Sequence, residues 1–423
     1  MSGVERAVAD AHRREWAAVL AATVRVTRDL DLAEDCVQDA YAAALRDWAR
    51  DGVPVRPGAW LTTAARHRAV DALRRAGTLR SKLHLLVEPA TAPEVLTPPD
   101  DPLRLVFLCC HPELSPEARV ALTLRLVCGV ATADVARALL VPEPTAAARI
   151  TRAKKKVAAA RVPFRLPTAA ELPDRLDAVL TTIHLLFTTG HTAPSGGALT
   201  RDDLAGHALD LARLLHRLMP DEREVRGLLA LLLANSARRA GRTATDGRLL
   251  TLAEQDRSTW DRDAVDEAHH LVVAALRGGR PGRFALQAAI AALHATAPTY
   301  AETDWPQVLV LYDELARVWP SPVVALNRAV AVAEVRGPAA ALAEVAELER
   351  DRRLAGYHYL PAVKADLLRR LGLDATAEYE RAIALADNDA ERAFLRERAR
   401  SCGDGSCGGG ACGHRSRGDQ RPR

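Results

Sequence analysis

Val130 to Val157 reads VATADVARALLVPEPTAAARITRAKKKV, two helix-period segments around a proline break. Thr132 stands where a helix N-cap belongs, and Asp134 sits in the first turn, where the helix dipole favours an acid. Val135, Ala136, Leu139 and Leu140 then form one apolar stripe at helical spacing. Val141-Pro142-Glu143-Pro144 interrupts it, because each proline lacks a donor and pushes its predecessor away from helical torsions. Thr145 is placed to cap a second helix. On that helix Ile150, Ala153 and Val157 point inward, while Arg149, Arg152 and Lys156 share another face flanked by Lys154 and Lys155. A helix-turn-helix with a basic second helix suits a reader of duplex DNA, since its cations reach phosphates and its N-terminus binds one directly. A solvated basic helix end, which the dipole favours anyway, is the bland alternative. The one-sided basic stripe behind a helix break favours DNA.

The rest of the chain gives this segment its setting. With 423 residues there is room for two to four domains. Nearly half the residues are hydrophobic, few are aromatic, and alanine, leucine and arginine dominate, which predicts an all-α fold. The net charge of +4 is small, but 149–165 is strongly basic while the later helices are mixed. No apolar run approaches the ~20 residues of a membrane span, and the polar N-terminus is unlike a signal peptide, so no membrane partner and a cytoplasmic location are expected. Seven cysteines in so long a chain do not make a disulfide scaffold. Cys36, Cys109, Cys110 and Cys128 lie in predicted helices and read as small core residues. Cys109-Cys110-His111 invites a metal, but neighbouring helical residues point in different directions. Cys402, Cys407, Cys412 and His414 have no standard zinc spacing and sit in a glycine-rich tail, 401–423, expected to be disordered. No metal or cofactor is therefore expected.

Upstream, Asp31 to Trp48 predicts a helix with Asp31 as N-cap and Glu34 in a capping box. Ala33, Val37, Ala40, Ala44 and Trp48 make its inward stripe. Glu34, Asp35, Gln38 and Asp39 are left outside as an acidic face, either merely solvated or a dock for a basic surface. A turn-rich loop, Asp51 to Gly58, leads to the helix WLTTAARHRAVDALRR. Leu61, Ala64, Ala65, Ala69 and Ala72 lie on one side of it; Thr63, Arg66, His67, Val70 and Arg74 lie on the other. Arg68 falls near the apolar side, in reach of Asp71. A basic helix beside a rigid loop suits single-stranded nucleic acid, and equally an ordinary basic surface.

Together, DLDLAEDCVQDAYAAALRDW (29–48), PGAWLTTAARHRAVDALRR (57–75) and LSPEARVALTLRLVCGVATADVARALLVPEPTAAARITRAKKKV (114–157) resemble sigma factors of the extracytoplasmic-function type, in the sigma-70 family. The resemblance covers about the first 165 residues, in the family's order. It implies a subunit that directs RNA polymerase to promoters and is not an enzyme. Ala33, Glu34, Asp35, Val37 and Gln38 match the segment that binds the β′ clamp of core polymerase. Arg66, His67, Asp71, Arg74 and Arg75 match the helix at the −10 element, and the 51–59 loop matches the one that captures a flipped base of the non-template strand. Thr145, Arg149, Arg152, Lys154, Lys155 and Lys156 match the −35 reader, the module that also meets the β flap. One departure is that the second helix begins Thr-Ala-Ala-Ala-Arg. Alanine contacts a thymine methyl but makes no bidentate bond, which leaves Arg149 as candidate guanine reader. The implied layout is 1–76 for core and −10 binding, a 77–100 linker, and 101–165 for −35 binding. A linker of that length reaches about 80 Å extended, or about 24 base pairs at ~3.4 Å each.

From 170 to 400 a second helical domain is expected. Val308-x3-Tyr312-x2-Leu315, Ala341-x3-Val345-x2-Leu348 and Ala375-x3-Tyr379-x2-Ala382 begin at 308, 341 and 375. That period resembles the second helix of a tetratricopeptide repeat near 305–390, with Gly337 and Gly372 between paired helices. Such a stack offers a concave surface for a peptide or partner helix, which predicts a regulatory or partner-binding extension. A purely structural extension is the alternative. Residues 171–300 look helical without a clear period. His184 and His191 read as core histidines, and GGRPGRF at 278–284 as an inter-helix turn, so no catalytic set is expected. Two rivals are a helix-turn-helix regulator acting without core polymerase, which has no use for the 29–48 helix, and a tetratricopeptide scaffold.

Overall fold

The computed structural model describes residues 3–79, 101–111, 113–139, 141–160, 162, 164–168, 170–192, 200 and 202–403. Residues 80–100 of the expected linker and the tail beyond 403 lie outside them. Among the described residues there is no strand, only one isolated bridge between Thr243 and Leu249. The chain forms two compact units, 1–241 with 256–296, and 242–255 with 297–423. The cut falls at 297, so the α-helices between 172 and 296 group with the N-terminal modules rather than with the repeats.

In the first unit, α1 (Gly3–Thr27), α2 (Leu30–Asp51) and α3 (Pro57–Leu79) pack as three mutually contacting helices. The periodicity of α2 resolves as expected: Ala33, Val37, Ala40, Ala44 and Trp48 are all buried. The Trp48 ring meets Trp60 of α3 edge-on at 5.6 Å, a favourable aromatic geometry. Along α3, Leu61, Ala65 and Ala69 are buried and Ala64 and Ala72 half-buried. Then come α4 (Asp101–Cys109), α5 (Pro116–Leu126), α6 (Thr132–Ala138) and α7 (Glu143–Ala159). Ser115 caps α5 by accepting from the Ala118 N–H. Cys109 and Cys110 are buried here, and burial pushes both thiols up, Cys110 to about 11.

Helices α8 (Leu172–His191), α9 (Asp202–Leu218), α10 (Arg223–Ala237), α11 (Arg262–Leu276) and α12 (Arg283–Thr296) complete the unit. α8 seats on α5, with the Arg175 guanidinium donating to the Phe107 carbonyl at 3.2 Å. α10 lies between α9, α11 and α12. It buries Val225 and every residue from Gly227 to Ala234, so it is apolar all round and carries no helical period to read. Each of its leucines contributes about 1.5–3 kcal/mol by burial. Gly227 lets α12 approach: a Cβ there would sit 2.5 Å from the Ala285 nitrogen and 2.7 Å from its Cα. Beside it, the Glu224 carboxylate accepts from the N–H groups of Phe284 (2.9 Å) and Ala285 (3.2 Å), capping α12 from another helix. The glycine-rich stretch at 278–284 is the expected turn, joining α11 to α12 with Gly278 and Gly279 at positive φ. His184 is a core histidine, edge-on to Phe284 at 5.5 Å, and burial followed by Arg283 lowers its pKa to about 4.

The second unit holds α13 (Trp305–Val318), α14 (Pro322–Arg336), α15 (Pro338–Leu348), α16 (Tyr359–Arg370), α17 (Thr376–Leu385) and α18 (Asp389–Gly403). The recurring positions Val308, Leu315, Ala341, Val345, Ala375, Tyr379 and Ala382 are all buried, and burial pushes the Tyr312 phenol up to about 12. Gly337 alone joins α14 to α15, with φ +89, a conformation that favours glycine. Charge repeats along with shape. Arg328 of α14 bridges Asp313 of α13 and Glu344 of α15, both at 2.6 Å. Lys364 of α16 bridges Glu349 (2.9 Å), which follows α15, and Glu378 of α17 (2.8 Å).

Candidate functional site

The first residue of the expected acidic face, Glu34, behaves differently from the rest. α2 begins two residues early: its N-cap is Asp29, whose carboxylate accepts from the N–H groups of Asp31 and Leu32 at 2.9 Å. The capping box expected from Asp31 and Glu34 is therefore replaced, because Asp29 meets the same orphan donors first. Asp31 and Glu34 are left free for a remote partner. Asp35, Gln38 and Asp39 are exposed as expected, whereas the Glu34 side chain is only 8% exposed. Its two oxygens meet different cations: Oε2 accepts from Lys154 Nζ of α7 at 2.5 Å, and Oε1 faces Arg125 of α5 at 3.2 Å. Lys154 also donates to Asp31 at 2.9 Å. Burial works against the charge on Lys154, but its hydrogen bonds to Glu34 and Asp31 outweigh burial and hold its pKa above the ordinary lysine value.

The seam continues through α1. The Trp16 indole N–H donates to the Leu126 carbonyl at 2.9 Å, a buried bond. The His12 ring lies 4.7 Å from that of Trp16 and 5.2 Å from Tyr41. Burial, then the Arg125 charge, lowers the His12 pKa. Gly129 has φ +64, and a Cβ there would lie 3.4 Å from the Trp16 ring and 3.5 Å from the His12 ring.

On α7 the inward set Ile150, Ala153 and Val157 is buried, joined by Ala146. Neither expected threonine cap is used. α6 is capped at Ala131 without a side-chain bond, and α7 starts at Glu143 behind Pro142, two residues before Thr145. Proline at the first helical turns supplies the torsion a cap would otherwise set. The expected cations separate into three groups. Arg152 and Lys155 are exposed and Arg149 is half-buried, beside an exposed Thr145. Lys156 turns back to the Glu113 carbonyl at 2.5 Å. Lys154 faces α2.

On α3, His67, Asp71, Arg74 and Arg75 are exposed and Arg66 is half-buried. Arg75 donates to the Asp71 carbonyl at 3.3 Å. Arg68 faces Asp39 of α2 at 3.7 Å instead of its neighbour Asp71. The loop before α3 carries Val55, 99% exposed, and Val53, 45% exposed. Gly52 closes α2 with its N–H on the Trp48 carbonyl. Sequence reasoning missed Arg125, Trp16 and the role of Asp31. No periodic signal marks them, because their partners stand 91 (Arg125–Glu34), 110 (Trp16–Leu126) and 123 (Asp31–Lys154) positions away.

Three family models match the chain. Sigma-70 region 2 matches residues 8–78, covering α1 to α3. Sigma-70 region 4 matches 104–157, covering the helix-turn-helix. A family of unknown function (DUF6596) matches 175–276, spanning α8 to α11. An uncharacterized protein of Rhizobium meliloti (strain 1021) is 42% identical over 397 residues, covering 89% of this chain and 91% of its own length. No solved structure matches.

Proposed function

Starting from a chain that belongs to the sigma-70 family, an extracytoplasmic-function type RNA polymerase sigma factor with a helical C-terminal extension, we propose which of its surfaces does which part of the work. Residues 1–76 dock on the β′ clamp and hold the −10 element. Residues 101–165 read −35 and meet the β flap, and 77–100 span the two. On α2 the docking set is Ala33, Glu34, Asp35, Val37 and Gln38. Asp35 and Gln38 make the first contact from the exposed face, and Ala33 and Val37 hold that face in place from beneath. The −10 set is Arg66, His67, Asp71, Arg74 and Arg75 on α3. The exposed Val53 and Val55 wall the pocket for an unstacked base of the non-template strand.

The observation that carries the DNA assignment is the two-sidedness of α7: Ala146, Ile150, Ala153 and Val157 are buried, and Thr145, Arg149, Arg152 and Lys155 are turned out. Arg149 is the guanine reader; Arg152, Lys154, Lys155 and Lys156 bear on phosphates. The protein performs no bond chemistry and acts by differential binding in the cytoplasm. No helix among the described residues is long and apolar enough to cross a membrane. The 170–400 region is regulatory, and its tetratricopeptide-like helices between 305 and 390 take a peptide or partner helix.

Co-purification with core RNA polymerase tests the assignment, comparing the native chain with Asp35→Ala/Gln38→Ala. Retention of the native chain and loss of the variant are expected. Equal retention of both would move the docking surface off α2, and retention of neither would refute polymerase docking by the full chain.

A further inference from the structure

We infer that the cavity enclosed by α1, α9 and the turn after α5 is a binding site for a small organic acid, a single ring or short branched chain carrying one carboxylate. Its volume is about 290 Å³, roughly that of ten liquid waters and at the lower end of ligand pockets. That is room for a monocyclic acid and too little for a nucleotide or an acyl lipid. The walls come mainly from three stretches of chain: 12–18 of α1, Val127 to Gly129 after α5, and 204–217 of α9. The His207 ring of α9 meets the Arg13 carbonyl of α1, which ties two of these walls together.

The chemistry divides between floor and mouth. Trp16, Val127 and Leu214 are buried and Leu211 half-buried, an apolar floor that a hydrocarbon body would cover. The half-buried His12 ring lines it too, held 4.7 Å from Trp16 and 5.2 Å from Tyr41. Its nitrogens form no hydrogen bond among the described residues, and burial lowers its pKa. It therefore offers a ligand one N–H donor and no charge. The mouth is cationic: Arg13, Arg14 and Arg217 stand there against a single acid, Asp210, and all four are exposed. Arg13 is engaged by Asp10. Arg14 and Arg217 form no ion pair among the described residues, and they come from different walls, α1 and α9. A guanidinium fork matches a carboxylate in shape and charge. A monocarboxylate thus uses both halves of the cavity, its body on the floor and its acid at the arginines. A cation would meet the surplus of like charge, and a neutral ligand would leave the forks unused. Occupied, the cavity holds α9 of the extension on α1. As a regulatory input this rests on the role proposed above for 170–400; the binding itself does not, and its failure would leave that role standing.

Ligand-observed NMR titration of the full chain with benzoate, benzamide and benzylamine tests the site, because the three share a ring and differ in charge. Benzoate should bind saturably, with a dissociation constant of the order of 1 mM, and at least about tenfold more tightly than either of the others. Arg14→Gln/Arg217→Gln removes both forks and should weaken benzoate about tenfold or more. Since neither side chain is paired, the variant should keep the native unfolding temperature without ligand. Photolabelling with 4-azidobenzoate locates the site: the label should fall on 12–18 or 204–217 and be competed away by benzoate. Absence of saturable benzoate binding, equal binding of the three compounds, native benzoate affinity in the folded double variant, or label confined to other peptides would each overturn the inference.

Discussion

Replacing Gly227 by alanine should destabilise the protein, against the usual sense of that substitution in a helix. On an open helix surface alanine is favoured over glycine by about 0.8–1.0 kcal/mol. At 227 the new methyl would lie 2.5 Å from the Ala285 nitrogen, 2.7 Å from its Cα and 2.9 Å from the Phe284 carbonyl carbon. All three are backbone atoms at the start of α12, so no side chain can swing aside. Relief requires α12 to move off α10, which stretches the Glu224 cap on the Phe284 and Ala285 N–H groups. Overpacking of this kind costs about 1–3 kcal/mol, and loss of a charged cap about 1 kcal/mol more. The net expectation is destabilisation by about 1–3 kcal/mol. Gly206 in α9 is the matched control, since a Cβ there meets nothing within 4 Å; Gly206→Ala should stabilise by up to about 1 kcal/mol. Calorimetric unfolding of the full chain reads both, at about 2–4 °C per kcal/mol for domains of this scale. Opposite signs are required. A Gly227→Ala protein that melts at or above the native temperature would refute the close approach of α10 and α12.

Trp16→Phe keeps an aromatic ring but strands the buried Leu126 carbonyl, and should cost about 1–3 kcal/mol in urea unfolding; an unchanged midpoint would discount that bond. His184 and His294 are each held at about 4 against 6.5 when unfolded, in both cases first by burial. Their contribution is complete above pH 6.5 and is lost as pH falls toward 4, with a ceiling of about 3 kcal/mol each. Between pH 6.5 and 5 the urea midpoint should therefore fall, and His184→Leu should flatten the slope; a flat native profile in that window contradicts the buried neutral imidazoles. Arg328→Ala leaves Asp313 and Glu344 half-buried without their cation and should destabilise the second unit by about 1–3 kcal/mol. Arg328→Lys should restore only part of this, because an ammonium does not span two carboxylates as a fork does. Full restoration by lysine would show that the fork is unimportant.

How much could be read in advance depended on the range of the forces involved. The stripes of α2, α3 and α7 were legible because a helix with one buried face writes its period into the sequence. α10 was not, since burial on every side erases the period. The repeat positions at 308, 341 and 375 were legible from spacing, and they point into the core. Helix ends differ from expectation: Asp29, Ala131 and Pro142 take the cap positions expected of Asp31, Thr132 and Thr145, because caps compete over one to three residues. Glu34 was assigned to the acidic face by its angle on the helix wheel. That angle is correct, but the wheel does not contain Lys154 and Arg125, which come from another module. The same limit applies to Arg68, which prefers Asp39 across two helices to Asp71 within its own.

The ion ladder of the second unit bears on how that unit comes apart. Arg328 and Lys364 each sit between two acids, one from the chain before and one from the chain after their own helix, so peeling one helix from an end always breaks a pair held by its neighbour. Loss of α17 strips Lys364 of Glu378, and loss of α16 then abandons Glu349. Each helix lost removes an ion-pair contact from the helix before it, so neighbouring helices of the array are coupled as they melt.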